Sequence, residues 1–319
     1  MAEVRPAAAA DRPPLRLRWR RWRRYWLRDP VLGGLEFAMF WLCRVLPLDW
    51  VSAIGGALGA LSGRYRYDAV RDRTRLLYPQ LAAGDPTAAD AERAVARLFA
   101  NVGRAMAEFA VLDRMWPEDR IAIKGGEHIL AARAAGNPII VMGLHLANWE
   151  IIGPTLIGMG LHDARGFYQP PSSRFDHKLA LAARERYGGF GLRAGVGAAR
   201  AALRLLAEER GVFLIYAHDV RSGRVSAPLF GRPVPPRANL ATIVRLAWAS
   251  GAAVIPAHVE RIRGARFCVN FLAPVALLPE AGDRHAALEE NTHRLDRVIT
   301  PIVAARLDQW YMLLEWRAA

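Results

Sequence analysis

Residues 136–160 read GNPIIVMGLHLANWEIIGPTLIGMG and contain the clearest strand-to-helix pattern of the chain. Pro138 to Met142 form a continuous apolar run of strand length bounded by Gly and Pro, which predicts a buried strand. The pattern that follows predicts a helix from about Asn148 to Met159. A strand that is apolar on both faces needs helices on both sides of its sheet. The stretch therefore predicts an α/β fold with a mainly parallel sheet flanked by helices.

The same alternation of strand and helix patterns continues from Arg64 to the end of the chain. Further strands are predicted near residues 121–123, 166–168, 212–216, 253–259 and 267–272. Helices are predicted near residues 87–112, 127–135, 175–187, 197–209, 237–250 and 284–307. Strands that alternate with helices indicate a parallel sheet covered on both faces. Because no linker is long enough to divide this part, we expect one domain over residues 63–319. We expect residues 1–62 to form a basic amphipathic N-terminus with a membrane-anchoring helix.

The composition excludes several classes of protein. The chain has 319 residues, of which 53% are hydrophobic and 23% are charged. This apolar fraction is too high for a disordered chain. No repeat of the collagen, coiled-coil or solenoid type is present. Two cysteines, Cys43 and Cys268, are too few for a disulfide framework or a zinc site.

The net charge of +14 predicts an anionic partner, which nucleic acid, anionic lipid or an acidic carrier protein would satisfy. Residues 1–30 alone hold nine arginines against three acidic residues. Leu15, Trp19, Trp22 and Trp26 recur on one helical stripe among these arginines. A tryptophan-lined face on an arginine-rich helix is typical of an interfacial membrane helix. An RNA-binding arm is the alternative interpretation.

The next segment is apolar but interrupted by charges. Glu36 and Arg44 break the run that follows Pro30, and a second run rich in Gly and Ala extends from Val51 to Leu61. A spanning helix needs about 20 mainly apolar residues. The segment is therefore either one marginal membrane span or a pair of helices that lie in the interface, and both interpretations stay open.

The chemistry is indicated by two residues that flank the turn between the predicted strand and helix. His145 lies just past the carboxyl end of the strand, where open α/β sheets bind ligands. Glu150 lies in the first turn of the helix and can hydrogen-bond the imidazole, which fixes its tautomer. The other ring nitrogen can then remove a proton from a substrate hydroxyl. Because no serine or cysteine nucleophile is evident, direct attack of that hydroxyl on a thioester is the simplest reaction.

The segment His145-Leu146-Ala147-Asn148-Trp149-Glu150 resembles the HX4D/E signature of glycerolipid and lipid A acyltransferases. Its form H-x-x-N-W-E resembles the late lauroyl/myristoyl acyltransferases of lipid A biosynthesis, a family that also contains phosphatidylinositol mannoside acyltransferases. Further blocks similar to that family follow in order, at residues 167–170, 211–219, 228–231, 246–256 and 308–317. The chain departs from the family pattern at Gln169, where Arg is usual, at Ala217, where Asp is usual, and at Asp308, where Pro is usual.

The resemblance implies a glycerol-3-phosphate-acyltransferase-like fold and an enzyme at the cytoplasmic face of the inner membrane. It implies acyl carrier protein as donor and a hydroxyl of an anionic lipid A precursor as acceptor, with no cofactor, metal or nucleic acid. His145 is then the general base and Glu150 its orienting partner. The residues expected to contact substrate are Asn148, Arg174, Asp219, Arg221 and Arg237.

Three alternatives remain at this point. The acceptor is another glycolipid, such as a phosphatidylinositol mannoside; or His145 activates water, as in a thioesterase; or the chain is a non-catalytic basic protein that binds membrane or nucleic acid. The arginines after Asp219, among them Arg221 and Arg237, form either a phosphate-binding loop or a solvated basic loop.

Overall fold

The computed structural model describes residues 15–168, 171, 173–193, 197–221, 224–235, 237–280 and 282–317. The strands are β1 (Ile121–Lys124), β2 (Ile139–Gly143), β3 (Arg165–Tyr168), β4 (Phe190–Arg193), β5 (Val212–Tyr216), β6 (Val220–Arg221), β7 (Arg224–Val225), β8 (Ala253–Arg263) and β9 (Arg266–Phe271). The α-helices are α1 (Leu15–Arg23), α2 (Asp29–Val45), α3 (Leu48–Tyr65), α4 (Asp68–Leu81), α5 (Ala88–Glu108), α6 (Leu112–Met115), α7 (Gly126–Ala134), α8 (Ile152–Gly158), α9 (Arg174–Arg186), α10 (Ala198–Ala207), α11 (Asn239–Ser250) and α12 (Arg284–Ala304).

Seven strands form one sheet in the order β1-β9-β8-β2-β5-β3-β4. The five strands from β8 to β4 are parallel. Strand β9 runs antiparallel to β8, and β1 pairs with β9 in parallel. The reversal occurs at a tight turn in which Gly264 has a φ of +49°, a value that glycine adopts without strain. The sequence-based α/β prediction, with its mainly parallel sheet, is confirmed.

Strand β2 lies at the centre of the core, and every one of its residues is buried. Ile140 and Met142 point to one face, where they pack with residues of α10, α11 and α12. Ile139 and Val141 point to the other face, where they pack with residues of α6, α7 and α8. Because successive side chains of a strand alternate between faces, a sheet covered on both sides makes this strand uniformly apolar in sequence.

The N-terminal part consists of helices that pack on the α/β unit. Helix α2 ends before Pro47, and α3 starts at Leu48, so residues 29–65 form two helices. None of the helices in the described part of the chain combines the length and the apolar character required to cross a bilayer. Helix α3 packs closely on α5, where a Cβ atom added at Gly103 would lie 2.2 Å from the carbonyl oxygen of Gly55.

Helix α4 and two smaller features were not anticipated from the sequence. Among the described strands, β4 (Phe190–Arg193) is at the edge of the sheet and pairs with β3. Strands β6 and β7 form a two-stranded hairpin outside the main sheet. The two residues of β6 and the two of β7 are too few for an alternation to stand out, and β4 depends on its pairing with β3 and not on a pattern of its own.

Candidate active site

The candidate site lies where the direction of chain progression across the sheet reverses. From β2 the chain passes over β5 to reach β3, whereas from β5 it passes over β2 to reach β8. Such a reversal opens a crevice at the carboxyl ends of the two central strands. His145 lies two residues past the end of β2, and His218 lies two residues past the end of β5. The fold therefore brings these two imidazoles to the crevice.

The backbone around His145 is held by the C-terminal segment of the chain. The carbonyl oxygen of His145 accepts a hydrogen bond from the Tyr311 amide at 3.1 Å, and the Ala147 amide donates to the Gln309 carbonyl at 2.8 Å. An isolated β-bridge joins Leu146 to Trp310. Ala147 has a φ of +52°, which is unfavourable for a residue with a side chain. These contacts stabilise a strained loop that presents the histidine.

The His145 ring is surrounded by aromatic rings. Its centroid lies 4.1 Å from the ring of Tyr216, 4.1 Å from that of His218 and 4.9 Å from that of Trp149. Burial, followed by the neighbouring His218, holds the pKa of His145 well below its usual value of 6.5. Burial also lowers the pKa of His218 to about 3. Both rings are therefore neutral at pH 7, and a neutral imidazole has a lone pair that accepts a proton.

The position of Glu150 differs from the sequence-based expectation. Its carboxylate receives two hydrogen bonds from Arg184 on α9, at 2.6 and 3.2 Å, and no hydrogen bond joins it to His145. A bidentate pair with a guanidinium is stronger than a hydrogen bond to a neutral imidazole, which explains the preference. The Arg184 guanidinium also lies 4.8 Å from the centre of the Tyr168 ring. Glu150 thus anchors α9 beside the first turn after the histidine.

Asn148 belongs to a buried network beneath the loop. Its amide donates to Glu108 at 3.0 Å, and Glu108 also accepts from both terminal nitrogens of Arg261, at 2.6 and 2.9 Å. The Glu108 side chain is 0% exposed and that of Arg261 is 6% exposed. The side-chain amide of Asn148, which the sequence suggested for substrate contact, therefore connects the loop to α5 and, through Glu108 and Arg261, to β8. Glu108 and Arg261 had no local sequence signal, because the three residues meet only in the folded chain.

The remaining residues expected to contact substrate are dispersed. Arg174 donates to the backbone carbonyl of Tyr25 at 3.2 Å, and its guanidinium lies 4.0 Å from the centre of the Tyr25 ring. The Asp219 side chain accepts a hydrogen bond from the Ser226 hydroxyl. Arg237 is exposed. The side chain of Arg221 lies outside the described residues. Of these, Asp219 adjoins His218, whereas Arg174 lies against the N-terminal helices.

A cavity of about 70 Å³ is lined by Tyr216, whose ring contacts His145, and by Glu150 and Arg184. The rest of the wall combines the polar side chains of Arg165, Tyr168 and Tyr187 with apolar side chains and glycines, among them Leu156, Ile157, Leu214, Gly153, Gly166 and Gly191. A Cβ atom at Gly191 would lie 2.8 Å from the Cβ of Tyr168, so glycine keeps this space open. The wall is therefore of mixed polarity, with an apolar patch at Leu156, Ile157 and Leu214. Within the ranges that the structure describes, no three His, Cys, Asp or Glu side chains lie close enough to hold a metal ion.

Comparison with known proteins adds one finding. A family profile described as bacterial lipid A biosynthesis acyltransferase matches residues 21–317, which is almost the whole chain. No curated protein matches the sequence significantly. The match includes the loop of His145, the Glu150 turn and the C-terminal segment that holds them.

Proposed function

The chain belongs to the bacterial lipid A biosynthesis acyltransferase family, and on that premise we propose that it transfers a fatty acyl chain from acyl carrier protein to a hydroxyl of a lipid A precursor. The family makes the protein an acyltransferase; the donor, the acceptor and the cellular site are our proposal. The observation that carries the mechanism is the neutral, half-buried His145 in the crevice between β2 and β5. Such a base is what thioester alcoholysis requires.

In the proposed reaction, His145 removes the proton from the acceptor hydroxyl while the hydroxyl oxygen attacks the thioester carbonyl carbon. The new C–O bond forms and the carbonyl oxygen becomes an oxyanion. The intermediate then collapses, the C–S bond breaks, and the imidazolium returns the proton to the leaving thiolate. Glu150, paired with Arg184, positions the turn that follows the base. No covalent acyl-enzyme is needed.

The apolar patch of this cavity supports the acyl-chain part of the proposal. Tyr216 contacts the His145 ring and also lines the cavity. An aliphatic chain that enters between Leu156, Ile157 and Leu214 would therefore have its reactive end near the base. Burial of each methylene contributes about 0.8 kcal/mol, which favours an alkyl occupant over water.

The basic surface supports the choice of partners. Acyl carrier proteins are acidic, and lipid A precursors carry phosphates, so the net charge of +14 favours encounter with both. Arg237 and Arg224 are exposed near His218 in sequence and suit contacts with phosphate. We propose that these arginines, with Asp219, Arg174 and Arg221, position the acceptor head group.

The exposed face of the N-terminal helices supports an attachment at the cytoplasmic face of the inner membrane. Five tryptophans on α1 to α3 and the turn between them are 46–63% exposed, at positions 19, 22, 26, 41 and 50. Aliphatic side chains such as Val31, Leu35 and Val45 are also exposed there. Tryptophan beside arginine is favoured at the lipid–water boundary. We therefore propose that these helices lie in the plane of the membrane.

Transfer by purified protein tests the proposed function. The wild type and His145→Ala would be incubated with several acyl-carrier-protein thioesters and a lipid A precursor, and product masses would be read by mass spectrometry. A gain of one acyl group, absent with the folded variant, supports the proposal and reveals the preferred chain length. Equal turnover by folded His145→Ala would refute the role of the base. Free fatty acid without acylated product would indicate a thioesterase, and transfer only to another glycolipid would change the acceptor.

A further inference from the structure

A second cavity, of about 50 Å³, lies between α2, α3 and α5. Its lining side chains are all aliphatic or sulfur-containing, among them Met39, Leu42 and Cys43 of α2, Ile54 and Leu58 of α3 and Ala107 of α5. Among the described residues, none lines both this cavity and the one beside Tyr216. A cavity with such a lining stays dry and takes up apolar guests, because water finds no hydrogen-bond partners in it.

The two helices that form the cavity are held by different parts of the molecule. Helix α2 packs on α9, where Gly33 lies so close to the Phe175 ring that a Cβ atom would overlap it. Helix α3 packs on α5, where Gly55 and Gly103 approach each other in the same way. Because each helix has its own support, the groove between them stays open.

The groove opens onto an exposed apolar face. Met39, Leu42, Ile54 and Leu58 line the cavity, yet each of these side chains is 44–51% exposed. Exposed apolar side chains continue along both helices, at positions 31, 35 and 45 of α2 and at positions 50, 61 and 65 of α3. A contiguous apolar patch of this kind marks an interaction site for a membrane or for another protein. An apolar chain that approaches this face can therefore enter the groove.

A cation lies beside the groove. The guanidinium of Arg186 lies 5.4 Å from the centre of the Trp41 ring, and Trp41 precedes Leu42 in the sequence. The Asp113 carboxylate, which also interacts electrostatically with Arg186, is already paired with Arg44 at 2.9 Å. Arg186 itself is exposed. A guanidinium held against an aromatic ring is well suited to bind a phosphate.

The charge of this region favours a lipid over a second copy of the chain. Six arginines are exposed on the helical segment that precedes α2, at positions 16, 18, 20, 23, 24 and 28. A second copy would bring the same positive charge to the same face, which is unfavourable. An anionic lipid supplies both the opposite charge and the aliphatic chain that the cavity accepts.

We propose that the groove between α2 and α3 is a binding site for one aliphatic chain of an anionic phospholipid, with the lipid phosphate at Arg186. The site is distinct from the acyl-transfer site, and the inference goes beyond the proposed function. Each methylene that leaves water on entering the groove strengthens binding by about fourfold. A lipid held in this way would fix α2 and α3 relative to the membrane, in addition to the contact made by their exposed faces.

Protection of the Cys43 thiol tests the proposal in the full-length protein. The chain has two cysteines, so Cys268→Ala leaves Cys43 as the single thiol. The probe is dihexanoylphosphatidylglycerol, used as a monomer without any bilayer. The rate of Cys43 modification by N-ethylmaleimide should fall to a limiting value as the lipid is added, and native mass spectrometry should show one lipid per chain. Dihexanoylphosphatidylcholine should bind about tenfold more weakly, because its choline offsets the phosphate charge that Arg186 attracts.

Three substitutions in the Cys268→Ala background separate the groove from the exposed face. Ile54→Trp fills the groove and keeps the face apolar, and it should weaken lipid binding by about tenfold or more. Leu35→Trp is the matched control, because Leu35 is 59% exposed on the same face of the N-terminal helices and lies outside the lining. It should leave the protection unchanged. Arg186→Gln should remove most of the preference for phosphatidylglycerol over phosphatidylcholine. Thermal melts show whether each variant is folded.

Saturable protection, lost in Ile54→Trp and kept in Leu35→Trp, supports the proposal. Unprotected Cys43 at saturating lipid overturns it, as do equal effects of the two tryptophan variants. Protection by the lipid A precursor alone would assign the groove to the acceptor, and protection that increases with protein concentration without lipid would assign it to self-association. Both results overturn the proposal. If Ile54→Trp does not fold, the headgroup preference decides, since an equal preference in wild type and Arg186→Gln also overturns it. None of these measurements uses an acyl donor, so failure of the proposed function would be seen separately.

Discussion

The buried ion pair between Glu108 and Arg261 provides a sharp test of how the active-site loop is supported. Removal of one partner by Arg261→Met leaves the 0%-exposed carboxylate of Glu108 with Asn148 as its remaining donor among the described residues. Breaking a buried pair in this way typically costs about 3–5 kcal/mol. The loss of the guanidinium that lies 4.6 Å from the centre of the Phe267 ring adds to this cost. Glu108→Met strands the opposite charge and should cost a similar amount.

The double variant Glu108→Met/Arg261→Met should lose much less free energy of unfolding than the sum of the losses in the two single variants. Replacement of both charges by apolar side chains is often nearly neutral. What remains is the Asn148 amide, which loses its acceptor and leaves a cost of about 1–3 kcal/mol. The sum of the single losses is about 6–10 kcal/mol, so the coupling free energy should be at least about 3 kcal/mol.

Equilibrium urea unfolding of the wild type, the two single variants and the double variant measures this coupling. The slopes of the transitions must agree before midpoints are compared. Asn148→Ala, which keeps the ion pair and deletes only one donor, serves as the control and should cost about 1–3 kcal/mol. A loss of free energy of unfolding in the double variant equal to the sum of the two single losses would refute the reasoning. It would mean that the cost of burying each charge does not depend on the presence of the other.

Three further outcomes follow from the packing, the histidines and the N-terminal face. Gly103→Ala should lower the free energy of unfolding by about 1–3 kcal/mol, because the new Cβ meets the Gly55 carbonyl of α3. Gly34→Ala is the control: a Cβ at this position has no atom within 4 Å, so the substitution should be neutral or stabilising. Equal effects of the two substitutions on the melting temperature would argue against the close contact between α3 and α5. Burial lowers the pKa of His218 to about 3 and that of His258 to about 4, so between pH 6.5 and 4 the unfolded chain binds more protons than the folded chain. The free energy of unfolding should then decrease as the pH falls through this window, by up to about 1.4 kcal/mol per pH unit for each histidine. The urea midpoint of His258→Gln should depend less on pH than that of the wild type. An equal pH dependence in the two proteins would contradict the lowered pKa of His258. Replacement of the three tryptophans in residues 19–26 by serine should reduce co-sedimentation of the protein with anionic vesicles. Added salt should weaken the binding of the wild type. If the variant binds the vesicles as strongly as the wild type does, the protein is not attached through this face.

The hairpin β8–β9 illustrates what local patterns predict well. Its strands are long and apolar, and a glycine lies between them, so both strands were anticipated from the sequence with boundaries within a few residues. The same is true of β2 and β5, whose ends position His145 and His218. Edge strand β4 and hairpin β6–β7 were missed because their stabilisation comes from pairing with segments distant in sequence or from a turn too short to leave a pattern.

The partners of the candidate site residues were harder to predict. Glu150 lies five residues from His145, which suggests a dyad, yet it pairs with Arg184, a residue 34 positions away. Asn148 donates to Glu108, which is 40 positions upstream. In both cases a charged partner supplied by another helix forms the stronger hydrogen bond. Only the packing of α5 and α9 around the loop determines which partner is in reach.

Local sequence patterns were sufficient to predict the α/β class, the place of His145 at the carboxyl end of a buried strand and the resemblance to acyltransferases of lipid A biosynthesis. These features depend on periodicity and on short motifs, which are local properties of the chain. The tertiary structure alone decided that His218 lies against His145, that Arg184 holds Glu150, and that the C-terminal segment holds the loop. The physical reason is that hydrogen bonds and ring contacts act over a few ångströms in space. Whether two distant residues come within that range depends on how the helices and strands pack.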